Sequence, residues 1–429
     1  MNVTTDIQRR HDIDWLRIGA VLLLFPFHVA RIFNVGEDFY VRDVAANSTL
    51  SYIVEILNPW HMPLLFLLAG ASTWFALSHR GAGGYALERV KRLLIPFLFG
   101  MLVLVPPQSY LGLVSHGGVH DSFFAWFPNF FHTNPDDPSG YFMGGRTLGH
   151  LWFIIHLFFY SVLALPIVLL LRHRIGKRAI SWLAKLAERR GIILLFALFL
   201  CVAIPFPDMY GGNPVYLGMF FLLGYVLMSD NRFERAIDRH KFAALLLGFV
   251  PCVGIAYFEV RGWPAVSWPL AAPLVDFAHY LLVPWFCMIA MLGYGRRLLS
   301  FSNRFLKYAA QASYPVYLLH QTVIVAAGFA VLKLGAGVPL SYTAILVGSL
   351  AGSFLGYELV RRVNVLRFLF GMRIVRKKVS VPRPEPVPEG SPLGSPPSVT
   401  AQVLVARPVE IHPAMPGTNN LTSGSGSID

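Results

Sequence analysis

Arg17 and His28 lie eleven residues apart inside the first apolar stretch of the chain, separated by the run from Ile18 to Phe27. At ~100° per residue, eleven steps make about three turns plus 20°, so both side chains share one helix face, ~16 Å apart. A charged group costs several kcal/mol in a bilayer core, which makes such a pair in a spanning helix a functional candidate. One end could hold an anion; the other could move a proton near neutral pH. Each residue also has a plainer reading. Arg17 could be a snorkelling anchor beside Asp12 and Asp14, and His28 a helix–helix hydrogen bonder.

Further candidates follow along the chain. His61 sits in Asn58-Pro59-Trp60-His61-Met62-Pro63, where two prolines free backbone carbonyls and are expected to kink the helix beside a cavity. Gly70, Ala71 and Ser72 allow close helix approach. Arg89 and Arg92 share one face at the start of the third apolar run, where arginines and free amides can hold phosphate, or simply mark the positive side. His150 and Trp152 open the fourth run at an interface. Ser313, Tyr317 and His320 stand at i, i+4 and i+7, a polar stripe that suggests a lined cavity. Asp276 with His279, and Glu358, are weaker, because each can pair internally.

These residues need elements to hold them. The chain has 429 residues, 55% hydrophobic and only 14% charged, with a mean hydropathy of +0.55. A soluble protein of this size carries nearer ~25% charge. Apolar runs of about 20 residues recur, which predicts an all-α, polytopic helical bundle. Ten spans are expected, roughly at 13–34, 50–77, 93–110, 150–171, 191–207, 214–229, 242–259, 274–294, 310–332 and 340–361. The first is too long, and interrupted by Arg17, to read as a removable signal peptide.

The net charge of +13 does not point to nucleic acid, because the basic residues gather in alternate loops, as the positive-inside rule requires. An even span count then places both termini in the cytoplasm and the protein in a plasma or inner membrane. Cys201, Cys252 and Cys287 show no paired spacing, so neither a disulfide framework nor a cysteine metal site is expected. The long loop at 111–149 carries His116, His120 and Asp121, which could mimic a metal site, but acceptor recognition suits it better and no metal is predicted. Residues 1–12 read as a cytoplasmic segment, 13–365 as the membrane domain, and 366–429 as a basic, then Pro/Gly/Ser-rich tail without a core of its own.

In order and placement, five motifs together resemble the membrane-bound acyltransferase family 3 over about residues 9–365. They are Asp14-Trp15-Leu16-Arg17 with the Arg-x10-His spacing, the stretch from Pro63 to Ser72, and Arg89-x-x-Arg92 before Pro96. His150-Leu151-Trp152-Phe153 and Ser313-Tyr314-Pro315-Val316-Tyr317-Leu318-Leu319-His320 complete the set. The form His61-Met62-Pro63 looks most like its branch of glucan succinyltransferases.

The resemblance implies that acyl-CoA is used from the cytoplasm and that its acyl group passes to a hydroxyl, often of a sugar, beyond the membrane. His28 would then be the catalytic base, Arg17 would orient the donor, and Arg89 and Arg92 would bind its phosphates. Beyond the resemblance, Tyr317, His61 or Ser313 could supply oxyanion donors; Tyr317 and His320 are expected to be catalytic, and His61, His150, Trp152 and Ser313 to bind the acceptor. The pantetheine arm is comparable in length with the Arg17–His28 rise. Direct transfer is favoured, since no membrane cysteine lies in the motifs, although Ser313 could act as a nucleophile. Two other classes remain open: an exporter of a small acid or glycan using intramembrane His and Arg, which lacks the expected inverted repeat, and a sensor acting through the tail. The acyl group, acetyl or succinyl, and the acceptor are not legible.

Overall fold

Lipid offers no partner to a backbone N–H or C=O, so a chain this apolar must close its hydrogen bonds within helices. The computed structural model describes residues 10–36, 38–118, 121–132, 146–209, 211–264 and 271–375, with backbone alone at 271 and 272. Among these residues there is helix and no strand. In chain order the main helices are α1 (His11–Ala30), α2 (Ser48–Ser78), α3 (Ala82–Ser115), α4 (Gly149–Leu163), α5 (Leu165–Arg172) and α6 (Arg174–Ala187). There follow α7 (Ile192–Ala203), α8 (Pro214–Met228), α9 (Asn231–Arg261), α10 (Pro273–Leu298), α11 (Arg304–Leu332), α12 (Val338–Val360) and α13 (Asn364–Leu369).

Seven of these, α1 to α3 and α9 to α12, are long and apolar enough to cross a bilayer, and α4 with α5 makes an eighth if counted as one span bent by 42°. The protein is a multi-pass, all-α membrane bundle. The other two of the ten expected spans appear as the shorter apolar helices α7 and α8. With 15 residues, α8 reaches only about 22 Å, short of the ~30 Å hydrocarbon core. Most of α7 is 3-10 helix, which rises ~2 Å per residue and stretches a short segment further.

Proline chemistry shapes several helices. Turns of π-helix at Val90–Leu94 and Ala278–Leu282 each end two residues before a proline, Pro96 and Pro284. A proline lacks the N–H that would bond the carbonyl four residues back, so the ladder slips by one residue there. The carbonyl left over by Pro284 is that of Tyr280, and it accepts from the Tyr216 hydroxyl at 2.5 Å. By contrast, α2 runs as one helix through Pro59 and Pro63.

Burial runs opposite to the pattern of a soluble protein. The central helix α2 is 67% buried over its apolar window, whereas the lipid-facing α12 is only 22% buried. Leu102, Leu163, Val202, Val250 and Leu355 all stand exposed on the outside. α6, expected only as a basic loop, is an amphipathic helix with Ile175 and Trp182 exposed, the form of an interfacial element.

Close packing in the interior depends on small residues. A Cβ on Gly70 of α2 would fall 1.8 Å from the Phe221 carbonyl oxygen of α8, and one on Gly224 would fall 1.9 Å from that of Leu67. Backbones therefore touch at two successive turns of this helix pair. α1 packs against α2, α10, α11 and α12, which places it at the centre of the bundle.

The segment expected as a long loop is helical over part of its described residues. Helix α3 continues to Ser115, and Trp126 and Phe130 are buried beside Tyr110. His116 Nδ1 lies 2.8 Å from the Gly112 carbonyl at the helix end. His120, Asp136, Asp137 and the tail from Val379 lie outside the described residues. Among the described residues no three acidic, cysteine or histidine side chains are grouped for a metal. Glu358 pairs internally, accepting from the Tyr308 hydroxyl at 2.9 Å and meeting Arg361 Nε at 2.8 Å.

Candidate active site

Five histidines from five helices line one cavity, His279 of α10 among them with its neighbour Asp276. The cavity, of about 580 Å³, is also lined by His28 of α1, His61 of α2, His150 and Trp152 of α4, and Tyr317 and His320 of α11. The helical register accounts for part of this: Tyr317 and His320 lie three residues apart and so share a face. The His28 and His320 ring centroids are 5.2 Å apart, and those of His320 and His150 are 5.1 Å apart.

Hydrogen bonds to carbonyls, which can only accept, fix three of these rings. His61 Nε2 donates to the Ala20 carbonyl at 2.6 Å. His150 Nε2 donates to the Leu318 carbonyl at 2.9 Å, leaving Nδ1 to accept from Gln108 Nε2 at 3.4 Å. His320 Nδ1 donates to the Tyr317 carbonyl, so in the neutral ring Nε2 carries the lone pair, and it is buried without a partner. His28 differs. Its Nδ1 is buried without a partner, and its ring is held by aromatic neighbours, stacked on Phe39 at 6.0 Å and edge-on to Phe27 at 5.1 Å.

The Tyr317 hydroxyl donates to the His150 carbonyl. Ser313, expected on the same stripe, lies outside the cavity lining and donates to the Ala310 carbonyl of its own helix at 3.2 Å. The stripe is thus divided: two members face the cavity and the third is turned to the backbone.

Arg17 is not in this cavity. It lines a second one of about 320 Å³ with Arg10, Asp14, Ser72, Phe75 and His79. Arg17 Nη2 donates to Ser72 Oγ at 2.6 Å and Nη1 meets Asp14 at 3.2 Å. Burial works against the charge of Arg10, but Asp12 and Glu234 outweigh it and raise that guanidinium above its ordinary value. The two cavities share no lining residue. Ala20, whose carbonyl holds His61, lies between Arg17 and His28 along α1.

Arg89 and Arg92 form a third group, around Glu88. Arg92 Nε is 3.2 Å from Glu88 Oε1, Arg89 Nη2 is 3.9 Å from Oε2, and Arg80 also bonds Oε2. The Arg89 guanidinium lies 4.7 Å over the Tyr85 ring.

Sequence reasoning missed several residues of the main cavity, among them Arg31, Asn34, Gly211, Glu259 and Gln321. Arg31 follows His28 by three residues, a helical spacing that was available as a signal, whereas Asn34 lies past the end of α1 and gave no such signal. Gln321 had none, because it falls ~100° off the stripe that ends at His320. Gly211 has φ +97°, and a Cβ there would lie 2.3 Å from Trp152 Cδ2. The indole therefore lies on bare backbone. Gly211→Val is expected to displace Trp152 from the cavity wall, with a shift in tryptophan emission as the direct check.

Residues 10–358 match the family described as "Acyltransferase domain". The chain belongs to this family of membrane acyltransferases and is an acyl-transferring enzyme, so the exporter reading gives way. Similar proteins include Glucans biosynthesis protein C from Escherichia coli strain K12 and from strain SMS-3-5 / SECEC. Each is 21% identical to this chain over 401 residues, covering 86% of it and 96% of the relative. No solved structure matches the chain.

Proposed function

We propose that this enzyme moves an acetyl or succinyl group from cytoplasmic acyl-CoA to a hydroxyl of an extracytoplasmic glycan or another envelope acceptor. Both termini would be cytoplasmic and the membrane the plasma or inner one. The observation that carries the reading is the cavity around His28, in a chain that belongs to the acyltransferase family. The similarity to Glucans biosynthesis protein C favours a glucan among the acceptors.

Of the five histidines lining the cavity, His28 and His279 have no hydrogen bond fixing the ring at Nδ1, and of these two His28 is the one packed against another cavity histidine, His320, which suits a base that must gain and lose a proton. The acceptor hydroxyl gives its proton to His28 as its oxygen attacks the thioester carbonyl. The tetrahedral intermediate collapses, the C–S bond breaks, and the CoA thiolate takes that proton back. Acceptor alcohol and acyl-CoA thus become ester and CoA thiol, with no covalent enzyme intermediate. The Nε2–H groups of His61 and His150 and the Tyr317 hydroxyl are already committed to carbonyls, so for Tyr317 to stabilise the oxyanion it would have to release the His150 carbonyl.

Arg17 and the Arg89–Arg92 pair would hold the anionic head of the donor, which cannot enter the bilayer core. The two cavities are separate, so loading the donor arm requires α1 and α2 to part near the Ala20–His61 contact. The assay uses purified enzyme in lipid with radiolabelled acetyl-CoA or succinyl-CoA and extracted envelope glycans. Label in the glycan is the expected result and names the acyl group. A donor that binds but labels no hydroxyl acceptor contradicts the reading.

A further inference from the structure

Around Glu88 the structure gathers more positive charge than one carboxylate can balance. Arg80, Arg89 and Arg92 all approach it, and a fourth arginine comes from beyond the last span. After α13 the chain turns at Gly371, with φ +68°, and its backbone lies against α3 and α11. A Cβ there would be 2.9 Å from the Arg92 carbonyl oxygen, 2.9 Å from Tyr314 Cε1 and 3.1 Å from Pro96. The turn is anchored by Phe370, 4% exposed and 5.4 Å from the Phe99 ring. It delivers Arg373, whose charge acts on Arg92 ahead of those of Arg89 and Arg80.

Two donors in this group have no acceptor. Arg89 Nε and the Tyr314 hydroxyl are both buried without a hydrogen-bond partner, and the charges of Arg89 and Arg92 both act on Tyr314. A buried donor left unpaired costs about 1–3 kcal/mol. Four cations, one anion and two unpaired donors in one place fit a ligand that is multiply charged and rich in acceptor oxygens. Phosphate satisfies both demands, and arginine binds it with parallel N–H groups.

We propose that Tyr314 and Arg373 join Arg89 and Arg92 in a phosphate-binding subsite, with Glu88 as the internal anion that holds the arginines until the phosphate arrives. The subsite rests on the acyl-CoA reading for its ligand, although an anionic lipid headgroup offers the same chemistry. Arg373 lies beyond the residues matched to the family, so the C-terminal turn adds to the site from outside the shared domain.

The test is equilibrium binding of radiolabelled CoA, and separately of pyrophosphate, to the full chain in phosphatidylcholine nanodiscs. Arg373→Ala is expected to weaken CoA at least tenfold, Arg373→Lys less, and Tyr314→Phe several-fold, while Glu88→Gln tightens binding at low salt. Unchanged thermal midpoints for these variants separate lost contacts from misfolding. Dephospho-CoA that ignores Arg373 would assign the 3′-phosphate to it. Competition by phosphatidylglycerol, with no effect of Arg373→Ala on CoA, would assign the subsite to lipid instead. CoA binding equally tight in Arg373→Ala and Tyr314→Phe, without such competition, overturns the subsite and leaves the donor reading standing. Pyrophosphate binding that depends on Arg373, with no CoA binding, keeps the subsite and overturns the donor reading. Binding of neither ligand nor lipid overturns both.

Discussion

Alanine in place of His28 is expected to lower acyl transfer by about 10²–10⁴-fold, the range typical of a lost general base. The KM for acyl-CoA should change little, because the donor head is assigned to residues about three helical turns away. Stability should also hold, since the ring makes no hydrogen bond through Nδ1 and sits half-buried against Phe27 and Phe39. Single-turnover rates on detergent- or lipid-purified protein with an unchanged thermal midpoint would check this. A fall of less than about tenfold would move the base to another ring. The next candidate is His320, whose Nε2 is bare but enclosed by Phe25, His28 and His150.

The second large effect is structural. Gly70→Ala or Gly224→Ala places a methyl group 1.8 or 1.9 Å from a backbone carbonyl oxygen of the facing helix. A flexible side chain could move aside; a helix backbone cannot without carrying its neighbours. Overpacking in a well-filled core ordinarily costs about 1–3 kcal/mol, and here α2 and α8 must separate by more than an ångström along their contact. Both variants are expected to lose most folded protein, seen as loss of the monodisperse peak in size-exclusion chromatography and a lowered thermal midpoint. Gly19→Ala and Gly254→Ala are the controls, because nothing lies within 4 Å of a Cβ at either position. Their better helix propensity, up to ~1 kcal/mol, should leave stability equal or higher. Similar behaviour of all four variants would remove the backbone contact from the account.

Much of the site was legible because α1 is a regular helix and two of its polar residues break an apolar run. Spacing alone put Arg17 and His28 on one face, and the prolines around His61 marked α2 as unusual. The stripe on α11 gave Tyr317 and His320 but also Ser313, because side-chain period does not tell a residue that faces a cavity from one bonded to its own helix. That the pair on α1 lines two separate cavities could not be read from spacing, which says nothing of how other helices pack against that face. Gln321 and Gly211 enter the main cavity through tertiary placement alone. The span count was legible as apolar segments, but not their lengths: α7 and α8 are apolar yet short, and the π-turns before Pro96 and Pro284 shift the register beyond them. Arg373 lay in a basic stretch whose charge sufficed to explain it as an orientation signal, so only the turn at Gly371 revealed its neighbours.

The central claim is that donor and acceptor meet at His28 from opposite sides of the membrane. Its most direct measurement is transfer in proteoliposomes of defined orientation, with radiolabelled acyl-CoA on one side and glycan acceptor on the other. Wild type should label the glycan only when acyl-CoA faces the arginine end of the bundle and glycan faces the His28 end, and His28→Ala should label none. Equal transfer with the two compartments exchanged, or full transfer by His28→Ala, would contradict the account.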